Sequence, residues 1–216
     1  MLTIADVFDI PRFRGRGAPR REWLAGNAIF GRTTPQQRLA FLHELLADDD
    51  RRLNQGVVGG FLRAAWDEEP YLDGVRLGNY FTALAAQGDL DMDLFPDELV
   101  ARVHLMMRPD ERIHHSALTF PRRVYRGGLG TIERLSRGIS WTTDYNVALF
   151  FAKDWTKRSY GQTGYVVSVD ARDGDISACF DERSEAEVVC PLGFNVSDVS
   201  TVWCGADTSQ ALEAVL

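Results

Sequence analysis

Residues 123–144 read RVYRGGLGTIERLSRGISWTTD, and this stretch decides how the chain is built. Val124 and Tyr125 sit between arginines and then meet Gly127-Gly128, the texture of a strand that runs into a turn. Ser140-Trp141-Thr142 is a second β-prone run, and Asp144 is a good cap for a helix after it. Working outward, the same texture recurs downstream at 165–169, 176–180, 185–189 and 199–204. One helix interrupts these runs, with Val147, Phe150, Phe151 and Trp155 on its apolar face. Upstream of about residue 120 the punctuation is helical. Thr34-Pro35 is an N-cap followed by a first-turn proline. Leu39, Leu42, Leu45 and Leu46 follow at helical spacing until Asp48-Asp49-Asp50. Spacing predicts two more helices. One covers about 72–87, with Val75, Tyr80, Phe81 and Leu84; the other runs from Pro96 to Pro109, with Leu99, Val103, Leu105 and Met106. Gly56, Gly59 and Gly60 read as a bend. The expectation is an α+β protein, with an α-helical N-terminal region over 1–118 and a strand-rich region over 119–216.

Composition bounds the function classes. Of 216 residues, 45% are apolar, enough for a packed core and against wholesale disorder. Lys and Arg number 24 against 31 Asp and Glu, and the net charge of -7 excludes a basic nucleic-acid-binding stripe over the whole molecule. Locally the balance reverses: residues 1–32 hold six Arg against three acids, and 109–140 again six against three. Such stretches can flank an anionic ligand, although solvated surface is their commoner meaning. Cys179, Cys190 and Cys204 form an odd set with no C-x-x-C and read as reduced thiols, mostly in strand cores. No run reaches the roughly 18 apolar residues of a membrane span, and the start carries Asp6 and Asp9 where a signal peptide would be basic and then apolar. The expected location is cytoplasmic, or the cytosol of a target cell reached by a signal-independent route. His114-His115 has no Cys or acid at ligand spacing, so no metal site is expected, and His43 and His104 fall in helical runs. Neither G-x-x-x-x-G-K-[ST] nor G-x-G-x-x-G occurs.

Three short signals in the second half can carry chemistry. Arg126 at a strand end can present a bidentate guanidinium to a phosphate, and Gly127 and Gly128 let backbone approach an anion. Ser140 and Thr142 alternate around Trp141, so their hydroxyls share one face of a strand. Glu185 and Glu187 would likewise share a face, an unfavourable pairing unless something cationic lies opposite. Each signal alone has a bland reading: a surface ion pair, a half-exposed strand, and a Glu-x-Glu that eleven glutamates produce by chance in about one such chain in two. Their order, each on a predicted strand, carries more than any one of them.

In that order the second half resembles the Arg-Ser-Glu class of mono-ADP-ribosyltransferases, which includes small bacterial and phage toxins and effectors. The matching residues are Val124-Tyr125-Arg126-Gly127, then Ser140-Trp141-Thr142-Thr143-Asp144 with Ala148 and Phe151-Ala152, then Glu185-Ala186-Glu187-Val188-Val189. The resemblance covers about 120–205. It implies a two-sheet β core with NAD bound as co-substrate in a cleft between the sheets, and no metal. Arg126, with Gly127 and Thr142, would bind NAD; Ser140 would orient the nicotinamide ribose and the catalytic carboxylate. Glu187 would hold the ribose 2′-hydroxyl and stabilise an oxocarbenium-like transition state. Glu185 would orient or deprotonate the acceptor. Tyr160 is the candidate to stack on nicotinamide, and Phe180 and Arg183 are the candidate contacts in an acceptor loop over 174–184. Trp141 replaces the middle Thr of the usual Ser-Thr-Ser and is expected in the core, or shaping the nicotinamide pocket.

The implied activity is transfer of ADP-ribose to a macromolecular acceptor, with protein arginine favoured by Glu185 and nucleic acid kept open by the basic stretches. The setting would be a toxin–antitoxin or phage–host conflict. The N-terminal region would serve substrate recognition, autoinhibition, or docking of an antitoxin or chaperone. The alternatives are an NAD glycohydrolase using Arg126, Ser140 and Glu187, and an inactive binding module on the same fold.

Overall fold

A computed structural model describes residues 8, 10–47, 53–67, 101–154, 163–181 and 186–205. The chain divides into two units, 1–116 and 117–216. The helix expected over 72–87 lies outside the described residues, as do Pro96 and Leu99.

The regular elements in the described part of the N-terminal unit are all helical: α1 (Ala18–Arg32), α2 (Pro35–Ala47), α3 (Gln55–Asp67), a 3-10 turn (Val103–Met106) and α4 (Pro109–Ser116). Helix α2 starts where the sequence says it should. Thr34 Oγ1 accepts the Gln37 N–H at 3.3 Å while Gln37 Oε1 accepts the Thr34 N–H at 2.9 Å, a reciprocal capping box. Two expectations are corrected. The stretch containing Gly56, Gly59 and Gly60 is helix α3, not a bend. Its glycines serve close packing: a Cβ on Gly60 would strike Trp23 O of α1, one on Gly26 of α1 would strike Val57 O of α3, and one on Gly59 would strike Leu105 O. With no side chain between them, the α1 and α3 backbones meet directly, which offsets the entropy cost of glycine in a helix. Secondly, the helix expected up to Pro109 is a 3-10 turn at its described end, and Pro109 instead begins α4, as prolines at first helical positions do.

Aromatic rings fill the unit's core. Phe61 of α3 meets Phe8, Phe30 and Phe41 with centroids 5.2, 5.2 and 6.3 Å apart. The buried Trp23 satisfies its indole N–H on Met106 O at 3.1 Å. A charged group is buried as well. Glu111 is fully buried and lies 3.7 Å from the Arg63 guanidinium and 3.4 Å from that of Arg108, while Arg63 also pairs with Asp67 at 2.5 Å. Glu111 Oε2 accepts the Arg108 N–H at 2.7 Å, so the same carboxylate caps α4 and neutralises buried arginine.

The C-terminal unit is a sheet with helices on it: β1 (Arg122–Leu129), α5 (Ile132–Ser136), β2 (Ser140–Thr142), α6 (Tyr145–Asp154), β3 (Gly164–Ala171), β4 (Ala178–Phe180), β5 (Glu187–Val189), a 3-10 turn (Val196–Asp198) and β6 (Ser200–Gly205). The fold class is α+β. The expected division into two sheets is corrected: the described strands form one antiparallel ladder in the order β4-β5-β2-β1-β3-β6. That ladder is very uneven. β1 pairs with β3 over eight positions but with β2 only at Tyr125↔Thr142. The seam is thin because β2 is three residues long and bounded by Gly138 and by the turn into α6.

Strand alternation separates the two faces. Val124, Trp141, Val167, Val169, Val188, Cys179 and Cys190 form the larger core with Leu135 of α5. On the other face, Ala148 and Ala152 of α6 pack on Val166, flanked by Tyr125 and Tyr145. Trp141 belongs to the core: it is 2% exposed, stacks edge-on against Phe194 at 4.9 Å and donates its indole N–H to Gly138 O at 2.6 Å. Burial, reinforced by Asp175 and Cys179, pushes the Cys190 thiol well above the usual range, which suits an inert core cysteine.

Candidate active site

The thin seam between β1 and β2 is where the three motif positions meet. β2 and β5 pair through Ser140↔Val189, Trp141↔Val188 and Thr142↔Glu187. Ser140 and Glu187 are therefore diagonal neighbours on one face, within reach of each other. Ser140 Oγ donates to Glu187 Oε1 at 2.6 Å, a short charge-assisted bond. Both residues are half-buried, so the pair is open to solvent on one side. One cross-strand row on that face runs Ser168, Tyr125, Thr142, Glu187, Phe180 over five strands.

Arg126 approaches from behind. It alternates with Tyr125 and so shares the face of Val124 and Trp141. Its Nη1 donates to the Ser140 carbonyl oxygen, in the gap where β1 and β2 have parted. The guanidinium thus stands in for ladder bonding that the short β2 lacks. Gly138 makes the room: a Cβ there would overlap the Arg126 guanidinium. Gly138 was not singled out in the sequence, although a glycine two residues before Ser140 was the available signal.

Other expected site residues take different places. Gly127 is required by packing on the α6 side, where a Cβ would overlap Ala148 O, and that contact by itself accounts for the glycine. Thr142 is 6% exposed and its Oγ1 accepts the Asp144 N–H at 3.0 Å, which puts the hydroxyl to work in the turn between β2 and α6. Asp144 caps α6 as expected, its Oδ1 accepting the Asn146 N–H at 2.7 Å. Phe180 is fully buried in β4 beside Glu187 and cannot be an acceptor contact; this corrects the loop assignment, because strand pairing with β5 turns the ring inward. Tyr160, Arg183 and Glu185 lie outside the described residues.

The expectation that Glu185 and Glu187 share a strand face rests on a residue outside the described ones, and only its Glu187 end is placed. β5 begins at Glu187, and Ala186 just before it has φ 44, a left-handed and not an extended conformation. For alanine that conformation costs about 1–2 kcal/mol. It is held by Thr143, whose N–H donates to Ala186 O at 3.1 Å. Strain of this kind is a common mark of functional sites. Tyr125 and Tyr145, in edge contact at 5.6 Å on the same face as Ser140 and Thr142, are further candidates that sequence reasoning passed over. Among the described residues no group of three His, Cys, Asp or Glu is arranged to hold a metal ion, and no helix is long and apolar enough to cross a membrane.

No protein-family model matches the chain, and no curated protein or solved structure is similar to it at a significant level.

Proposed function

We propose that the C-terminal unit is an NAD-dependent mono-ADP-ribosyltransferase. The observation that carries the reading is the linked set of Arg126, Ser140 and Glu187 on three neighbouring strands, with Ser140 Oγ 2.6 Å from Glu187 Oε1 on one face and Arg126 on the Ser140 carbonyl from the other. The donor set suits the substrate. A half-buried carboxylate fixed by a hydroxyl can accept a ribose hydroxyl and stabilise positive charge developing at the anomeric carbon. The Ser140 bond holds that carboxylate in one rotamer, which avoids reorganisation in the transition state. Arg126 braces the Ser140 peptide from the opposite face, which fixes the hydroxyl that holds Glu187. Glu185, next to the strained Ala186, is the residue proposed to direct the acceptor, with protein arginine favoured over nucleic acid. A toxin or effector in a phage–host or toxin–antitoxin conflict is the setting this activity fits.

Nicotinamide release from NAD by purified protein tests the reading, with and without total lysate. Wild type is expected to release nicotinamide, and Glu187→Gln to lose at least about a hundredfold of that rate. Acceleration by lysate identifies a transferase. Turnover indifferent to lysate assigns the same residues to an NAD glycohydrolase. Folded wild-type protein that releases no nicotinamide in either condition refutes catalysis and leaves a binding module.

A further inference from the structure

Residues 12–21 of the N-terminal unit read RFRGRGAPRR, with five arginines in ten positions of a chain whose net charge is -7. Arg12, Arg14, Arg16, Arg20 and Arg21 are all exposed. No ion pair joins any of them to a described carboxylate. Only Arg21 is engaged locally: its Nη2 donates to Arg14 O at 2.6 Å, and its guanidinium lies 5.3 Å from the Phe13 ring centroid.

The segment is structured. The Phe13 N–H donates to Glu22 Oε1 at 2.8 Å, and the Ala18 N–H bonds Gly15 O at 3.0 Å as the chain turns into α1. Gly15 has φ 90, which the turn requires. Gly17 has φ -94 and open space where a Cβ would stand, so neither conformation nor packing demands glycine there. The backbone at 17 is left accessible. Phe13 stays 39% exposed despite its size. Arg20 and Arg21 lie in the first turn of α1, where acids are favoured and cations disfavoured, and that turn holds no acid. The arrangement gains little within the fold; a polyanion laid over it would relieve the repulsion.

We propose that this segment binds single-stranded nucleic acid. Arginine forks match phosphate oxygens, an exposed ring flanked by arginines offers a stacking platform for bases, and bare glycine backbone allows close approach. The charges alone would suit an acidic protein as well; the exposed ring among phosphate-matching forks is what favours a base-bearing strand. The inference stands on the N-terminal unit and does not depend on the ADP-ribosyltransferase reading.

The test is fluorescence anisotropy of the full chain with labelled oligo(U) and oligo(dT) of about 20 nucleotides, over a salt series. Four arginines on phosphates predict a log–log salt slope of about -3. Arg14→Glu, Arg16→Glu and Arg20→Glu combined are expected to weaken binding more than about tenfold, with circular dichroism unchanged because all three side chains are exposed. Phe13→Ala is expected to cost at least about fivefold with the slope unchanged. Arg172→Glu, an exposed charge on the other unit, is expected to change affinity less than about twofold. Binding of either strand supports the proposal. It is overturned if neither binds at low salt, if the triple variant binds like wild type, or if duplex of the same sequence binds tighter. It is also overturned if heparin competes equally and Phe13→Ala has no effect. Nicotinamide release from the same variants reports separately on the catalytic reading.

Discussion

Replacing Gly127 by alanine separates two reasons for a glycine beside Arg126. If the glycine exists to admit an anion, the substitution leaves the fold intact and weakens NAD binding. The structure gives the other reason: a Cβ at 127 would overlap Ala148 O, a backbone atom of α6. Backbone cannot rotate away, so the helix must retreat by on the order of 1–2 Å from a sheet packed to crystal-like density. Ala148, Ala152 and Val166, all fully buried, lie at that contact. Overpacking of this kind costs typically about 1–3 kcal/mol, and a backbone clash belongs at the upper end. Replacing a strand glycine returns up to about 1 kcal/mol by restricting the unfolded chain. The net is about 2 kcal/mol, which lowers Tm by roughly 8–16 °C for a unit of about 100 residues. Thermal unfolding by circular dichroism reads it directly. Gly31→Ala is the control: nothing stands near its Cβ position in α1, and it is expected to gain up to about 1 kcal/mol. A Gly127→Ala protein with wild-type Tm and a raised KM for NAD would refute the packing argument.

Glu111→Gln leaves Arg63 and Arg108 facing a neutral group in a buried setting and is expected to destabilise the N-terminal unit by about 3–5 kcal/mol; urea unfolding followed by far-UV circular dichroism, which the helices of this unit dominate, measures it, and a loss below about 1 kcal/mol would contradict it. The Arg123–Asp170 fork across β1 and β3 holds the Asp170 carboxyl below its usual range, chiefly through hydrogen bonds from the guanidinium at 2.5 and 2.7 Å. A depressed folded-state pKa contributes stability that is present above the unfolded pKa of about 3.9 and is lost as pH falls through the folded value. The acid limb of the stability–pH curve is therefore expected to flatten in Asp170→Asn, and identical limbs for the two proteins would count against the pair's contribution.

Legibility in the sequence follows how local each determinant is. The strands at 122–129, 140–142, 164–171 and 178–180 were readable because β-branched and aromatic runs between glycines report backbone preference within a few residues. Thr34-Pro35 and Asp144 were readable as caps for the same reason, since the donor and acceptor are two or three residues apart. Helix α3 was not. Its glycines look like breakers until Trp23 and Leu105 are placed against them, and those partners are far away in the chain. Helix α1 escaped notice because its packing stripe is interrupted by Gly26, the residue its neighbour needs small.

The candidate site divides along the same line. Residue type and order along the chain singled out Arg126, Ser140 and Glu187, because the chemistry of a guanidinium, a hydroxyl and a carboxylate is carried by each side chain alone. Pairing register decided the rest. Only the β2–β5 ladder makes Ser140 and Glu187 diagonal neighbours, and only the thin β1–β2 seam lets Arg126 reach the Ser140 carbonyl from the opposite face. Register likewise buried Phe180 and drew Thr142 into a turn, and the chain enters β5 through a left-handed Ala186. The sequence by itself determined the strands, the side-chain-capped helices and which functional groups are present, since these are local properties. The tertiary structure decided which groups meet and which are covered, because strand register and backbone approach depend on residues distant in the chain.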